Sequence, residues 1–300
     1  MEKQRNKKGS LPIGLRIIGI IIAVLAAAYG LYAGMGNSTG NFDGEMQIFA
    51  LDVGQGDSFF IISPNGKTML IDSGESSNSK QIEQFIREKG VRQLDVVIGS
   101  HTHSDHVGSM PYLLDAFDVG KYVMSEAGLE TRIQKRINAV LEEKDIPCSY
   151  AWAGDVIDWD SDCKVTVLSP VPEFDEYSKT DWNEWSLIIR AEYANHSMIF
   201  TGDATVRSEQ AAMLNNEKYL FDADVLKVPH HGSTTSSSLG FLEAVSPEYA
   251  IISVGKGNSY GHPDYDTIQK LKQVNAEIYR TDELGTINIV FSANDIKITY

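Results

Sequence analysis

The chain has 300 residues, 42% of them hydrophobic and 22% charged, and a formal net charge of -15. That length buries the core of one large or two ordinary domains, and the composition excludes disordered, collagen-like and disulfide-scaffold proteins. The acidic balance argues against a protein that coats duplex DNA, which needs a basic footprint.

The first 45 residues are the exception to that balance. Lys3, Arg5, Lys7, Lys8 and Arg16 precede an uncharged stretch, Ile17 to Gly34, of 18 residues. This is the lower end of what spans a bilayer as a helix, and the basic flank places the N-terminus in the cytoplasm. The rival reading is a cleavable signal peptide, with Ala26, Ala27 and Ala28 offering small residues for cleavage. Either option exports the rest of the chain. Residues 1–34 are therefore read as a basic tail and transmembrane anchor (or signal peptide) and 35–45 as a flexible Gly/Ser/Asn linker. The expected location is a single-pass membrane protein with its catalytic domain outside, or a secreted protein.

From Met46 onward short apolar runs alternate with helical stretches, and residues 46–300 read as one domain. MQIFALDV, SFFIIS and TMLIDS are predicted strands, separated by turns at Gly54–Gly56 and Pro64–Gly66. SKQIEQFIREKG carries apolar residues at helical spacing and stops at Gly90. LDVVIGS follows as a buried strand, then TRIQKRINAVLEEK as a helix. KVTVLS, SLIIRAEY and HSMIFTGD are predicted strands, VRSEQAAMLNN a helix, and DVLKVPHH, YAIISVG, AEIYRTD and TINIVFS further strands. Cys148 and Cys163 lie outside any C-x-x-C spacing and leave the redox compartment open.

The chemistry concentrates at His101-Thr102-His103-Ser104-Asp105-His106, directly after a predicted buried strand. Three imidazoles and a carboxylate can converge from a loop, where they offer neutral nitrogens and an oxygen to two neighbouring metal ions. A solvated polar turn has no need of so many ligand-type residues in six positions.

At this string the sequence resembles the metallo-β-lactamase fold superfamily. LDVGQGDS (51–58), IDSG (71–74), TGD (201–203), LKVPHHGS (226–233) and YGHP (260–263) occur in the order the resemblance requires. The set is similar to the extracytoplasmic hydrolase domain of the ComEC competence proteins and their stand-alone relatives, and in part to bacterial phosphorylcholine esterases. The resemblance covers essentially all of 46–300 and is more specific for fold than for substrate. It implies an α/β protein, an αββα four-layer sandwich preceded here by the N-terminal transmembrane helix, with two divalent metal ions (zinc or manganese) on loops at one edge. Residue by residue, it implies that His101 and His103 hold the first metal and Asp105 and His106 the second, with Asp203 bridging and His230 completing the second site. His231 ranks behind His230, because a continuing strand would point it the other way. Its other reading is a hydrogen bond behind the ligands.

Many superfamily members place a further histidine between the ligand loop and the bridging aspartate. Here only His196 lies in that interval, in a turn-like segment, while Asn183-Glu184-Trp185-Ser186 fits the Asn-x-x-Ser of ComEC-like members. The first metal is thus expected to be under-coordinated, weakly held, or an oxygen-preferring ion such as manganese. A metal pair lowers the pKa of a bridging water and polarises an ester or phosphoryl oxygen. Asp105 is expected to orient the nucleophile, His262 to donate a proton or clamp a substrate oxygen, and Asp57 to reach the site from its Gly-flanked turn. Asp72 is read as structural. The loop Ser233–Ser238 is read as either a phosphate-binding loop or a helix cap. Trp152, Trp159, Trp182 and Trp185 are read as packing, with a quaternary-ammonium cage or a base-stacking surface as the alternative.

Three functions follow. The first is an extracytoplasmic phosphodiesterase or nuclease, with single-stranded DNA as a candidate substrate. The second is a phosphoesterase acting on an envelope or small-molecule ester such as a choline phosphate. The third is a non-catalytic metal-binding module, against which the intact ligand set weighs. No protein partner is evident from the sequence, and β-lactam hydrolysis rests on fold analogy alone.

Overall fold

The computed structural model describes residues 44–172, 177 and 180–300. The expected anchor over 1–34 and all but the end of the linker lie outside the described residues. Among the described residues no helix is long and apolar enough to cross a membrane.

The β-branched and aromatic runs predicted as strands pair where their apolar faces can be buried. Met46–Ala50 (β1), Phe59–Ile62 (β2) and Thr68–Ile71 (β3) form an antiparallel meander. After helix Ser79–Glu88 (α1) come Gln93–Gly99 (β4), the short helices Ser104–Val107 (α2) and Met110–Ala116 (α3), and Asp118–Met124 (β5). Helix Arg132–Glu143 (α4) leads to the edge strand Cys148–Tyr150 (β6). The second half contributes Cys163–Ser169 (β7), Ile188–Tyr193 (β8), His196–Phe200 (β9), helix Val206–Asn215 (α5) and Val225–Lys227 (β10). It continues with helix Leu239–Val245 (α6), Tyr249–Ile252 (β11), helix Tyr265–Gln273 (α7), Glu277–Arg280 (β12) and helix Thr281–Leu284 (α8). Ile287–Phe291 (β13) and Ile296–Thr299 (β14) close the chain.

One sheet has the order β14-β13-β1-β2-β3-β4-β5-β6 and the other β12-β11-β10-β9-β8-β7. Their facing sides share one core, in which Ile48, Phe59, Ile71 and Ile98 meet Val167, Ile189, Phe200 and Ile251. Phe59 and Phe200 pack edge to face across the gap, with centroids 5.2 Å apart. The outer face of the first sheet is covered by Ile82 and Ile86 of α1, Leu113 of α3 and Ile137 and Leu141 of α4. Ala212 of α5, Phe241 and Val245 of α6 and Leu271 of α7 cover the second. Four layers result, as the resemblance implies. Burial on both faces explains why the central strands read as continuous apolar runs rather than alternating ones.

This arrangement sets up one edge. β3 and β4 run parallel, as do β9, β10 and β11, so the loops leaving their carboxyl ends gather at the same side. In open α/β sheets that side is where ligands bind.

Candidate metal centre

Each ligand-type residue follows a strand end. Asp72 follows β3, His101 to His106 follow β4, Asp203 follows β9 and His231 follows β10. His101 and His103 lie in the connecting loop, whereas Asp105 and His106 sit on the single helical turn of α2. Asp72 works from behind. Its Oδ1 accepts from Ser100 N (2.7 Å), and its Oδ2 lies 2.6 Å from Ser100 Oγ and 2.8 Å from His106 Nδ1. That bond commits Nδ1 of His106 and leaves Nε2 facing the centre, the usual way a carboxylate orients an imidazole ligand.

Asp105, His106, Asp203 and His231 each present one donor atom, all within 4.8 Å of one another. His106 Nε2, Asp203 Oδ1 and His231 Nε2 are buried, and none has a hydrogen-bond partner among the described residues. His106 Nε2 and Asp203 Oδ1 are 3.0 Å apart, while His231 Nε2 is 3.4 Å from Asp105 Oδ2 and 3.5 Å from Asp203 Oδ1. Buried polar atoms of this kind are costly unless they have a further partner. Mixed imidazole and carboxylate donors at these separations fit a divalent cation. The neighbouring His101 Nε2 and His103 Nδ1 approach to 3.0 Å, side by side as two ligands of one ion would be.

The electrostatics agree. Burial pushes His231 down, yet Asp203, Asp105 and Asp57 lift it to about 9. Burial likewise opposes the charge on His106, and Asp203 and Asp72 override it, raising its pKa well above the ordinary value. The same carboxylate field that draws protons onto these rings favours a metal in their place. His101 behaves oppositely, because burial and the neighbouring His106 hold it well below its usual pKa and so in the neutral, ligating form.

The centre lies at one side of a cavity of about 320 Å³, whose lining includes Gln55, Ser104, Asn183, Tyr260 and His262 besides ligand-type residues. Asn183 Oδ1 is buried without a hydrogen-bond partner among the described residues. It belongs to a turn tied down at its C-terminal end, since Leu187 N donates to Ser100 O (3.0 Å) and Asp203 N to Ser186 Oγ (3.1 Å). The Asn-x-x-Ser segment therefore joins the ligand loop to Asp203.

The structure places three expected site residues, His230, Asp57 and Ser233, outside the tight cluster. His231, not His230, joins the tight cluster; the strand ends at Lys227, and His230 and His231 both take left-handed backbone (φ 51° and 53°), so strand alternation does not apply. His230 stands at the cavity wall, with Nε2 3.6 Å from Asp203 Oδ2 and Nδ1 2.9 Å from Thr235 Oγ1. Asp57 does not reach the cavity. It is buried behind His231, with Oδ2 2.6 Å from Lys227 Nζ and Oδ1 3.5 Å from His231 Nδ1. Ser233 is buried and does not line the cavity, its hydroxyl engaged with that of Thr235 at 3.0 Å. The serine loop is a cap: Glu209 accepts from Ser237 N (2.6 Å) and Ser238 N (2.9 Å), and Ser238 Oγ accepts from Phe241 N (3.3 Å). None of the four tryptophans lines the cavity; Trp152 packs on Trp185, centroids 6.3 Å apart. His196 starts β9, at the end away from the site, with its ring 5.6 Å from that of Phe291.

Gly56 shows how close the packing is. Its φ is +135°, and a Cβ there would meet Asp105 O at 2.1 Å. Asp57 N also donates to that carbonyl (3.1 Å), so the Gly54–Gly56 turn presses on the ligand loop. Gly56→Ala should cost about 1–3 kcal/mol in backbone strain and displace Asp105. The expected result is a lowered melting temperature together with reduced metal content; wild-type values for both would show that the turn yields without moving the ligand.

Fold and centre define a class. Residues 51–256 match the family model of the metallo-beta-lactamase superfamily, and the chain belongs to that superfamily of metal-dependent hydrolases. Within it the chain resembles the competence-protein branch. It is 33% identical over 260 residues to ComE operon protein 3 of Bacillus subtilis, covering 81% of this chain and 33% of the relative. It is 28% identical over 257 residues to Recombination protein 2 of Haemophilus influenzae, covering 84% of this chain and 30% of the relative. The chain thus spans about a third of the length of the curated relatives it matches. Among solved structures it is similar in fold to Igni18, a metallo hydrolase from Ignicoccus hospitalis, with a TM-score of 0.56, 16% identity, and 82% of this chain and all of that one covered.

Proposed function

We propose that this chain is a phosphodiesterase of nuclease type, working with two divalent ions on an extracytoplasmic face to which residues 1–34 anchor it. The observation that carries the reading is the cluster of Asp105, His106, Asp203 and His231, with unpartnered buried donors, opening on a cavity that has imidazoles at its wall. Two relatives' printed names, Recombination protein 2 and Competence protein ComA, support a nucleic acid as substrate.

A divalent metal pair held here would supply a water-derived nucleophile at neutral pH and stabilise charge on a phosphoryl oxygen. His101 and His103 would hold one ion, His106 and His231 the other, and Asp203 would lie between them. Asn183, in place of a further imidazole, offers the first ion an oxygen, which favours manganese over zinc. Asp105 is 26% exposed at its side chain, so it faces the cavity as well as His231 and can orient the attacking water. His262 is at the cavity wall with Nδ1 3.3 Å from Asp264 Oδ2. From that position its Nε2 can hand a proton to the departing oxygen. For the choline-ester alternative, the cavity lining offers no tryptophan to cage a quaternary ammonium, and that reading rests on the partial motif resemblance.

The test uses the full chain in mild detergent, stripped with chelator and reloaded separately with manganese and zinc. Bis(p-nitrophenyl) phosphate and labelled single-stranded DNA should be cleaved, more strongly with manganese, with activity lost on chelation and in His103→Ala. Turnover of p-nitrophenylphosphorylcholine alone would shift the substrate to a choline ester. No turnover of any of the three with metals bound would reject phosphoester chemistry.

A further inference from the structure

Tyr260 stands at the cavity with 69% of its surface exposed. An exposed tyrosine on its own says little, but this one is on a loop held from inside. Asn258 Nδ2 donates to Gly255 O (3.0 Å) and His262 O (2.7 Å), while its Oδ1 accepts from Tyr260 N (3.1 Å) and His262 N (3.1 Å). One half-buried amide thus fixes the backbone on both sides of Tyr260. The result is a parallel pair of rings, Tyr260 and His262, with centroids 5.8 Å apart and planes within 4°. His262 in turn lies 5.9 Å from the His230 ring, and His230 Nε2 is 3.6 Å from Asp203 Oδ2. A stepped line of rings therefore runs from the ligand cluster to the rim.

The remaining lining has a second feature: it includes no lysine and no arginine among the described residues. Among the described residues, fixed cations that displace counterions, the usual source of affinity for a polyanionic backbone, are not part of this wall. The metal ligands can place one phosphate, and a substrate needs some other contact to be held there. A nucleotide carries a planar base one sugar away from its phosphate, and bases stack on aromatic side chains with little regard to sequence.

We propose that Tyr260 is the specificity-determining residue of the site, a stacking platform for the base next to the scissile phosphate, so that base-bearing phosphodiesters are preferred. This rests on the phosphodiesterase reading above. Selection by stacking predicts sequence tolerance together with a strong penalty for a missing base.

The experiment compares a short single-stranded oligonucleotide with one carrying tetrahydrofuran abasic residues on both sides of the scissile phosphate, using the manganese-loaded full chain. Wild type should favour the base-bearing substrate about tenfold in kcat/KM, the range of one base–aromatic stack. Tyr260→Ala should bring the two substrates to the same kcat/KM, through KM rather than kcat, and Tyr260→Phe should keep the preference. Equal losses on both substrates in Tyr260→Ala, or an unchanged preference, would overturn the proposal. Quenching of 2-aminopurine in a phosphorothioate-linked oligonucleotide reads stacking without turnover. If no phosphodiester is cleaved, the phosphodiesterase reading fails, while quenching that Tyr260→Ala abolishes still assigns the platform; absence of both removes it.

Discussion

Asp203→Ala is expected to lose metal and nearly all activity while the fold survives. The carboxylate lies 3.0 Å from His106 Nε2, 3.5 Å from His231 Nε2 and 3.6 Å from His230 Nε2, so among the described residues it reaches three of the imidazoles at once. Burial by itself would raise its pKa, but His106 and His231 hold it well below the ordinary carboxylate range, which keeps it anionic. Removing it takes away a donor that both ions would share, and a metal's contribution to charge stabilisation is several kcal/mol, or about a thousandfold or more in kcat/KM. Metal analysis after gel filtration should show a reduced content, and circular dichroism an unchanged fold. The backbone supports that separation, since Asp203 N bonds to Ser186 Oγ and Thr201 to Lys227 O without the side chain. Wild-type metal content and turnover in this variant would sink the ligand assignment.

The fold was legible because its strands bury both faces and so announce themselves as apolar runs, and because turn glycines separate them. The elements that escaped have weaker local signals. Asp118–Met124 (DVGKYVM) mixes charged and apolar residues as a strand flanked by partners on both sides, and Cys148–Tyr150 is an exposed edge. The centre was legible where its ligands crowd together in sequence, at His101 to His106. It was not legible where geometry depended on a backbone departure: the left-handed pair at His230 and His231 exchanges the roles that strand alternation would assign. Asp57 misled for a related reason. A carboxylate beside two glycines looks like a site residue, and only the tertiary fold shows that its turn faces inward to a lysine. Tyr260 carried no sequence signal beyond its place before Gly261 and His262, because exposure and ring alignment are products of the Asn258 hydrogen bonds.

Lys227→Met should be the most destabilising single change in the centre's surroundings. Lys227 is fully buried, with Nζ donating to Gly202 O (2.7 Å) and to Asp57 Oδ2 (2.6 Å), and 3.9 Å from Asp203 Oδ1. A lysine in the apolar run VLKV was its only trace in the sequence. Methionine is uncharged and one atom shorter, and it leaves Asp57 as a buried carboxylate without its nearest cation. Breaking such a pair from one side costs about 3–5 kcal/mol, far more than the pair's net worth. Urea unfolding should therefore show a much lower midpoint with an unchanged slope. Adding Asp57→Asn should recover a large part of the loss, because the double variant no longer buries an unpaired charge, and the two sites are in contact and so non-additive. The bond to Gly202 O carries the effect towards the metal: Gly202 precedes Asp203, and outer contacts of this kind change metal affinity by about 10–100-fold. A single variant as stable as wild type would mean that Asp57 is satisfied without the lysine. Lost stability with metal affinity intact would confine Lys227 to folding, whereas loss of both makes it the cation on which the ligand geometry rests.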